Sequence, residues 1–188
     1  SLSGEDSAMH DLVFFHSPGA CSLAIHAALE QAGARYERVR VDLRQKQQLA
    51  PAYLALNPQG RVPTLVVDGR PLTETVAIAD YLDRRFPDAA LLPRDDLARA
   101  EAMSAVQRLS SDIHPLYRAL WITGWFCDDA AAHEAIKATA TRRLHDFHAE
   151  LEQRLGDGRW GPGEPSGFLA FYTAVFLRWS AAVAPQGL

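Results

Sequence analysis

The chain has 188 residues, 48% hydrophobic and 22% charged, with a formal net charge of −4. That size and composition suit one large globular domain or two small ones, with core enough to fold without staples. The acidic balance argues against nucleic acid or an anionic membrane as a partner, no apolar run approaches the ~20 residues of a membrane span, and two cysteines are too few for a secreted disulfide scaffold.

The opening SLSGEDSA is polar and lacks the apolar core of a signal peptide, and Met9 reads as a natural start. The expectation is a cytoplasmic chain with reduced thiols, its first eight residues an upstream extension or a cloning remnant. Leu12 to Phe15 is a short apolar run, expected to be a buried strand, and Ser17-Pro18-Gly19 ends it. From Ala20 to Ala32 the Ala- and Leu-rich sequence predicts a helix, closed by Gly33. In Tyr36 to Leu43, Val39, Val41 and Leu43 alternate with charged residues, the period of a strand with one wet face. Residues 45 to 56 suggest a short helical segment interrupted by Pro51. Val62 to Val67 reads as a strand, Asp68-Gly69 as a hairpin turn, and Pro71-Leu72 as an edge strand. Thr73 is then expected to cap a helix running to Phe86, stopped by Pro87.

Pro87 to Pro93 reads as a linker, and no strand pattern follows it. Helices are expected at about 95–120, 130–155 and 168–184. Leu144, Phe147, His148, Leu151 and Leu155 share one face of the middle helix, and Gly156 to Gly167 is a Gly/Pro-rich loop. The domains expected are thus 9–86, a linker at 87–94, and an all-helical 95–188.

Cys21 is the leading candidate for chemistry. It follows a strand and falls in the first turn of a helix, where unpaired N–H groups and the helix dipole favour a thiolate. A lone cysteine there also fits a small buried residue. Pro18 and Ala24 flank it at three residues, so there is no CxxC and no dithiol mechanism at this site. Thr73-Glu74-Thr75 opens a helix whose free N–H groups and Thr75 hydroxyl suit a ligand carboxylate, with Glu74 placed for an ammonium; an ordinary acidic first turn reads the same way. His16, Cys21 and His26 do not share a face and lack a fourth ligand, so no metal is expected.

Three motifs occur in order: Ser17-Pro-Gly-Ala-Cys-Ser22, Asn57-Pro-Gln-Gly-Arg-Val-Pro63 and Leu72-Thr-Glu-Thr-Val-Ala-Ile78. Together they resemble bacterial beta-class glutathione transferases, and Leu177-Arg-Trp179 resembles the sixth helix of that family. The resemblance runs from Met9 to nearly the end of the chain. It implies a thioredoxin-like domain, βαβ-ββα with a mixed four-stranded sheet, followed by an all-α domain. It also implies glutathione as co-substrate and a homodimer.

Residue by residue, the resemblance makes Val62-Pro63 a cis step whose Val62 backbone pairs with the cysteinyl part of glutathione. It places Glu74 and Thr75 at the γ-glutamyl end and Lys46 near the glycyl end. His114 matches a histidine facing the thiol region, as catalytic partner to Cys21. Gln107, also expected at the glutathione site, stands where the family often has Asn, and Pro115 where it often has Lys; Pro115 should kink the helix at His114. Phe15, His114, Tyr117 and Trp121 are expected to line an apolar groove between the domains for the electrophile. Gly167 and Ala170 replace the Ser/Thr-x-x-Asp capping box of the sixth helix, and the chain stops short of the family's final helices.

The function implied is conjugation of glutathione to small, largely apolar electrophiles in detoxification. Two rivals stand beside it: thiol–disulfide exchange or peroxidase chemistry through Cys21, and a non-catalytic binding or regulatory role.

Overall fold

The computed structural model describes residues 11–156 and 167–183 in two compact units that meet in sequence at Leu91 and Leu92. The expectations about Met9 and about the loop before Gly167 lie outside the described residues.

The first unit is a four-stranded sheet with helices. β1 (Leu12–His16) leads through α1 (Ser22–Gln31) to β2 (Glu37–Arg40), which pairs parallel to β1. A short 3-10 turn (Gln47–Leu49) and α2 (Pro51–Leu54) follow, then β3 (Thr64–Val67), β4 (Arg70–Thr73) and α3 (Thr75–Arg85). The strand order is β2-β1-β3-β4, with β3 antiparallel to both neighbours. β4 is the expected edge, where Pro71 costs no ladder bond to a further strand.

Alternation along the strands divides the packing. Leu12, Phe14 and Leu65 are fully buried, as are Ala24, Ile25, Ala28 and Leu29 of α1. α1 and α3 pack together, and α3 buries Thr75, Ile78, Ala79, Leu82 and Asp83, the spacing of one helical face. Phe15 points the other way, onto a cluster of Val41, Tyr53 and Val62. α2 therefore carries the second layer.

Local chemistry explains the boundaries, including those the sequence places differently. Pro51 opens α2 rather than interrupting a helix, because its missing N–H is unneeded at a first helical position. The second strand shrinks to Glu37–Arg40 and the third begins at Thr64, after the proline step. Asp68 and Gly69 both have positive φ, 48° and 76°, as a type I′ hairpin requires. The N-cap of α3 is Glu74, not Thr73, which ends β4. Gly60 has φ 61°, and a Cβ there would stand 2.9 Å from a Leu49 methyl and 3.2 Å from the Gln48 carbonyl oxygen. Only glycine lets the chain turn there.

The second unit is helical: α4 (Asp96–Arg108), a π-helical turn (Leu109–Ile113), α5 (His114–Trp121), α6 (His133–Gly156) and α7 (Phe168–Val183). The Asp95 carboxylate caps α4 by accepting from the Ala98 N–H at 2.9 Å. Just before Pro115 the chain winds a wider, π-helical turn, closed by the His114 N–H donating to the Leu109 carbonyl. Arg108 grips Glu150 through two bonds of 2.8 and 2.6 Å, tying α4 to α6, and Arg154 joins the same carboxylate. Leu144, Phe147 and Leu151 are buried as the helical face predicts, with His148 half-buried; the side chain of Leu155 lies outside the described residues. With no side-chain cap available, Gly167 starts α7 through its carbonyl, which accepts from Ala170 and Phe171.

Candidate active site

Cys21 is the N-cap residue of α1, one position before the first helical turn, with φ −58° and ψ −21°. The preceding Ser17-Pro18-Gly19 is held by Ser22, whose hydroxyl donates to the Ser17 carbonyl and accepts the Ser17 N–H, both at 3.1 Å. This buried pair of hydrogen bonds fixes the loop that carries the thiol. Cys21 is 6% exposed, and its Sγ donates to the Val62 carbonyl at 3.5 Å, across 41 residues of sequence.

The Val62-Pro63 peptide is cis. It stands just before β3 and turns the Val62 carbonyl toward the Cys21 sulfur. The Thr75 hydroxyl, buried at the start of α3, donates to the same sulfur over 4.0 Å. Three segments distant in sequence thus converge: the 17–22 loop, the proline step and the first turn of α3. Thr75 is expected from the sequence to offer its hydroxyl to a carboxylate; here that hydroxyl is turned to the thiol.

Glu74 is exposed and has φ 70° and ψ 120°. A residue with a Cβ is strained in that region, and such strain concentrates at functional sites. Lys46 is also exposed with positive φ, 56°, heading the 3-10 turn. Phe15 is half-buried, its ring edge-on to Tyr53 at 5.7 Å.

Tyr53, Asn57 and Thr64 are buried polar residues around the proline step that sequence reasoning missed. Asn57 was visible only as part of a motif. Tyr53 falls in the short helical segment expected at 45–56, where nothing in the residue pattern singles out its hydroxyl.

In the helical unit, Tyr117 is fully buried and its hydroxyl donates to the Phe176 carbonyl at 3.0 Å. A phenol has one proton to give, and the Phe176 carbonyl takes it, so His148 Nε2, 3.1 Å away, is the donor to the phenol oxygen. Burial lowers the His148 pKa, with His145 adding to it. Burial pushes the Tyr117 phenol up to about 12. Tyr117 therefore presents no surface to a co-substrate, contrary to the expectation, because the packing of its own unit consumes its ring and its hydroxyl.

Trp121 is 49% exposed and its ring meets Trp179 at 4.8 Å. His114, half-buried, packs against Trp179 at 5.1 Å and Phe176 at 6.0 Å. Gln107 is exposed on α4, and its carbonyl accepts the Ser111 hydroxyl at 3.0 Å.

The trio of His16, Cys21 and His26 is not a cluster. His16 and His26 lie together, ring centroids 5.8 Å apart, among Phe14 and Tyr36, while Cys21 is turned to Val62. Cys127 is half-exposed, so Cys21 is the less accessible of the two thiols.

The model of the glutathione S-transferase N-terminal domain matches residues 11–84. A glutathione S-transferase from Escherichia coli O157:H7 is 34% identical over 172 residues, covering 90% of this chain and 82% of that protein. A maleylacetoacetate isomerase from Pseudomonas aeruginosa is 36% identical over 157 residues, covering 80% and 72%. Among solved structures, a glutathione transferase homologue from Sulfitobacter with bound glutathione superposes with a TM-score of 0.84 at 31% identity, covering 93% of this chain and 88% of that one. A beta-class enzyme from Sphingomonas chungbukensis gives 0.75 at 35%, covering 91% and 83%.

Proposed function

The chain belongs to the glutathione S-transferase family, and on that premise we propose that it binds glutathione and conjugates it to small, largely apolar electrophiles. The observation that supports this most is the meeting of three segments at the Cys21 sulfur, which faces the Val62 carbonyl just before β3 and the Thr75 hydroxyl in the first turn of α3. Bound there, the cysteinyl N–H of glutathione takes the Val62 carbonyl, as an added strand would. Its γ-glutamyl carboxylate takes the free N–H groups of α3 and the Thr75 hydroxyl, which swings away from the sulfur. Glu74 holds the ammonium, and Lys46 approaches the glycyl carboxylate. In conjugation, the glutathione thiol gives its proton to solvent and its sulfur attacks the electrophilic carbon. A carbon–sulfur bond forms, and with an aryl halide the halide leaves with the bonding pair. Roles for Phe15, Gln107, His114 and Trp121 belong to the same proposal.

A second reading is favoured by the position of Cys21 against Val62: thiol–disulfide exchange. The Cys21 thiolate attacks the glutathionyl sulfur of a mixed disulfide and releases the substrate thiol. A second glutathione thiolate then frees Cys21 as glutathione disulfide. The relative named maleylacetoacetate isomerase makes a cis–trans isomerisation a further assay to run.

Two assays in parallel, with 1-chloro-2,4-dinitrobenzene and with a glutathione mixed disulfide, test wild type against Cys21→Ser. The first reading expects conjugation by the wild type. Disulfide reduction undiminished in Cys21→Ser sinks the second reading. Saturable glutathione binding with turnover in no assay points to a binding protein. A symmetric homodimer in the cytoplasm completes the proposal; light scattering should give twice the chain mass, and a monomer at micromolar concentration refutes it.

A further inference from the structure

The segment that presents Val62 is clamped by a closed polar network. Tyr53 Oη donates to the Arg61 carbonyl at 2.6 Å, and Asn57 Nδ2 donates to the same oxygen at 2.8 Å. Asn57 Nδ2 also reaches Thr64 Oγ1 at 3.2 Å, and Tyr53 Oη lies 2.9 Å from that hydroxyl. Proton counting orients every bond. The phenol spends its one proton on Arg61, so the Thr64 hydroxyl donates to the phenol oxygen and accepts from Asn57. Asn57 Oδ1 accepts the Gln59 N–H at 3.1 Å, which fixes the amide's orientation. Burial pushes the Tyr53 phenol up, so the donor keeps its proton at neutral pH.

The relative exposures of Tyr53, Asn57 and Thr64 are 6%, 3% and 0%. Burying three polar side chains is unfavourable unless each is paired, and apolar residues of similar shape would hold α2 on the sheet as well. What the polar version adds is direction. Both lone pairs of one carbonyl, Arg61, are engaged, by Tyr53 of α2 and by Asn57 just beyond it, and Thr64 is engaged on the other side of the Val62-Pro63 step. The chain is thereby pinned at positions 61 and 64, with only Val62-Pro63 between them. Thr64 also pairs with Thr73 in the sheet, next to Glu74. The Tyr53 ring packs in the same cluster as Val62.

We propose that Tyr53, Asn57 and Thr64 are positioning residues for glutathione: from behind the site, they set where the Val62 backbone meets the peptide. The proposal rests on the glutathione reading above. None of the three touches the ligand; they act through Val62.

Tyr53→Phe keeps the ring and removes only the hydroxyl, so it is the deciding variant; Thr64→Val and Thr64→Ser check it. Calorimetry should show the glutathione Kd rising about five- to tenfold in Tyr53→Phe and Thr64→Val, the loss of roughly one hydrogen bond. In steady state the change should fall on KM for glutathione. KM for the electrophile and kcat at saturating glutathione should each move by less than about twofold, since only ground-state and transition-state binding common to both is lost. Thr64→Ser, which keeps the hydroxyl, should restore binding. The Tyr53→Phe/Thr64→Val double variant should bind little worse than either single one, because the network acts as a unit. Tyr53→Phe binding glutathione within twofold of wild type, with only its melting temperature lowered, overturns the proposal and leaves the network a purely structural one. No binding by the wild type itself sinks the glutathione reading and this proposal with it.

Discussion

Glu74 is where stability and binding should part company. Its φ of 70° and ψ of 120° lie where a Cβ clashes with the backbone, and strain of this kind costs about 1–3 kcal/mol. Its carbonyl accepts the Ile78 N–H at 3.0 Å, so the conformation is locked by the first turn of α3. Its side chain is exposed and caps nothing. Glycine removes the clash and gives back about 0.5–1 kcal/mol through the entropy of its unfolded state. Glu74→Gly should therefore raise stability, by about 1 kcal/mol, or roughly 2–4 °C in melting temperature for a chain of this size. The same variant removes the carboxylate proposed to hold the ammonium of glutathione. A hydrogen bond to a charged group contributes about 1.5–3 kcal/mol, so the Kd should rise about 10- to 100-fold. Glu74→Gln separates the two effects, keeping the strain while weakening binding. Thermal melts and calorimetric titration of the three proteins decide it. If Glu74→Gly melts below wild type, the strain argument is wrong. If both variants bind glutathione as tightly as wild type, Glu74 is not the ammonium's partner.

Three further outcomes follow from other parts of the molecule. Glu150→Gln should lower stability by about 1 kcal/mol, since it weakens a half-exposed but bidentate pair with Arg108; a melting temperature unchanged within error would show that solvent screening cancels the pair. Stability should fall between pH 7.5 and 5.5, read as the urea midpoint. His16, depressed by burial and then by His26, Arg38 and Arg40, and His148, depressed by burial and then by His145, bind fewer protons folded than unfolded, so their contribution is present above 6.5 and is lost as pH falls below it. Glu150, held low by Arg108, titrates below that window, and a midpoint that stays flat or rises on acidification would falsify the assignment. Saturating glutathione should slow iodoacetamide labelling of Cys21, whose Val62 partner the ligand takes, and leave the half-exposed Cys127 unaffected; equal protection of both thiols, read by peptide mass mapping, would count against the site.

Local residue patterns carried the elements, and three short motifs carried the family resemblance. The apolar run LVFF, the alternation in Tyr36 to Leu43, the Asp68-Gly69 turn and the punctuation at Gly33, Pro87 and Gly167 are local signals, and each marks a boundary within a few residues of the one observed. The motifs around Cys21, Val62-Pro63 and Thr75 marked the three segments that meet, and the cis Val62-Pro63 step was implied by the family resemblance those motifs carry. Partnership across the chain was not legible. That Cys21 faces the Val62 carbonyl, that Thr75 turns to the same sulfur, that Tyr53 reaches over to Arg61 and that Tyr117 spends its hydroxyl on Phe176 follow from how the sheet, α2 and the helices stack. Local propensity sets which backbone a segment adopts. Which buried donor finds which acceptor is decided only when distant segments are packed, since each polar group must then be satisfied by whatever neighbour the tertiary structure supplies.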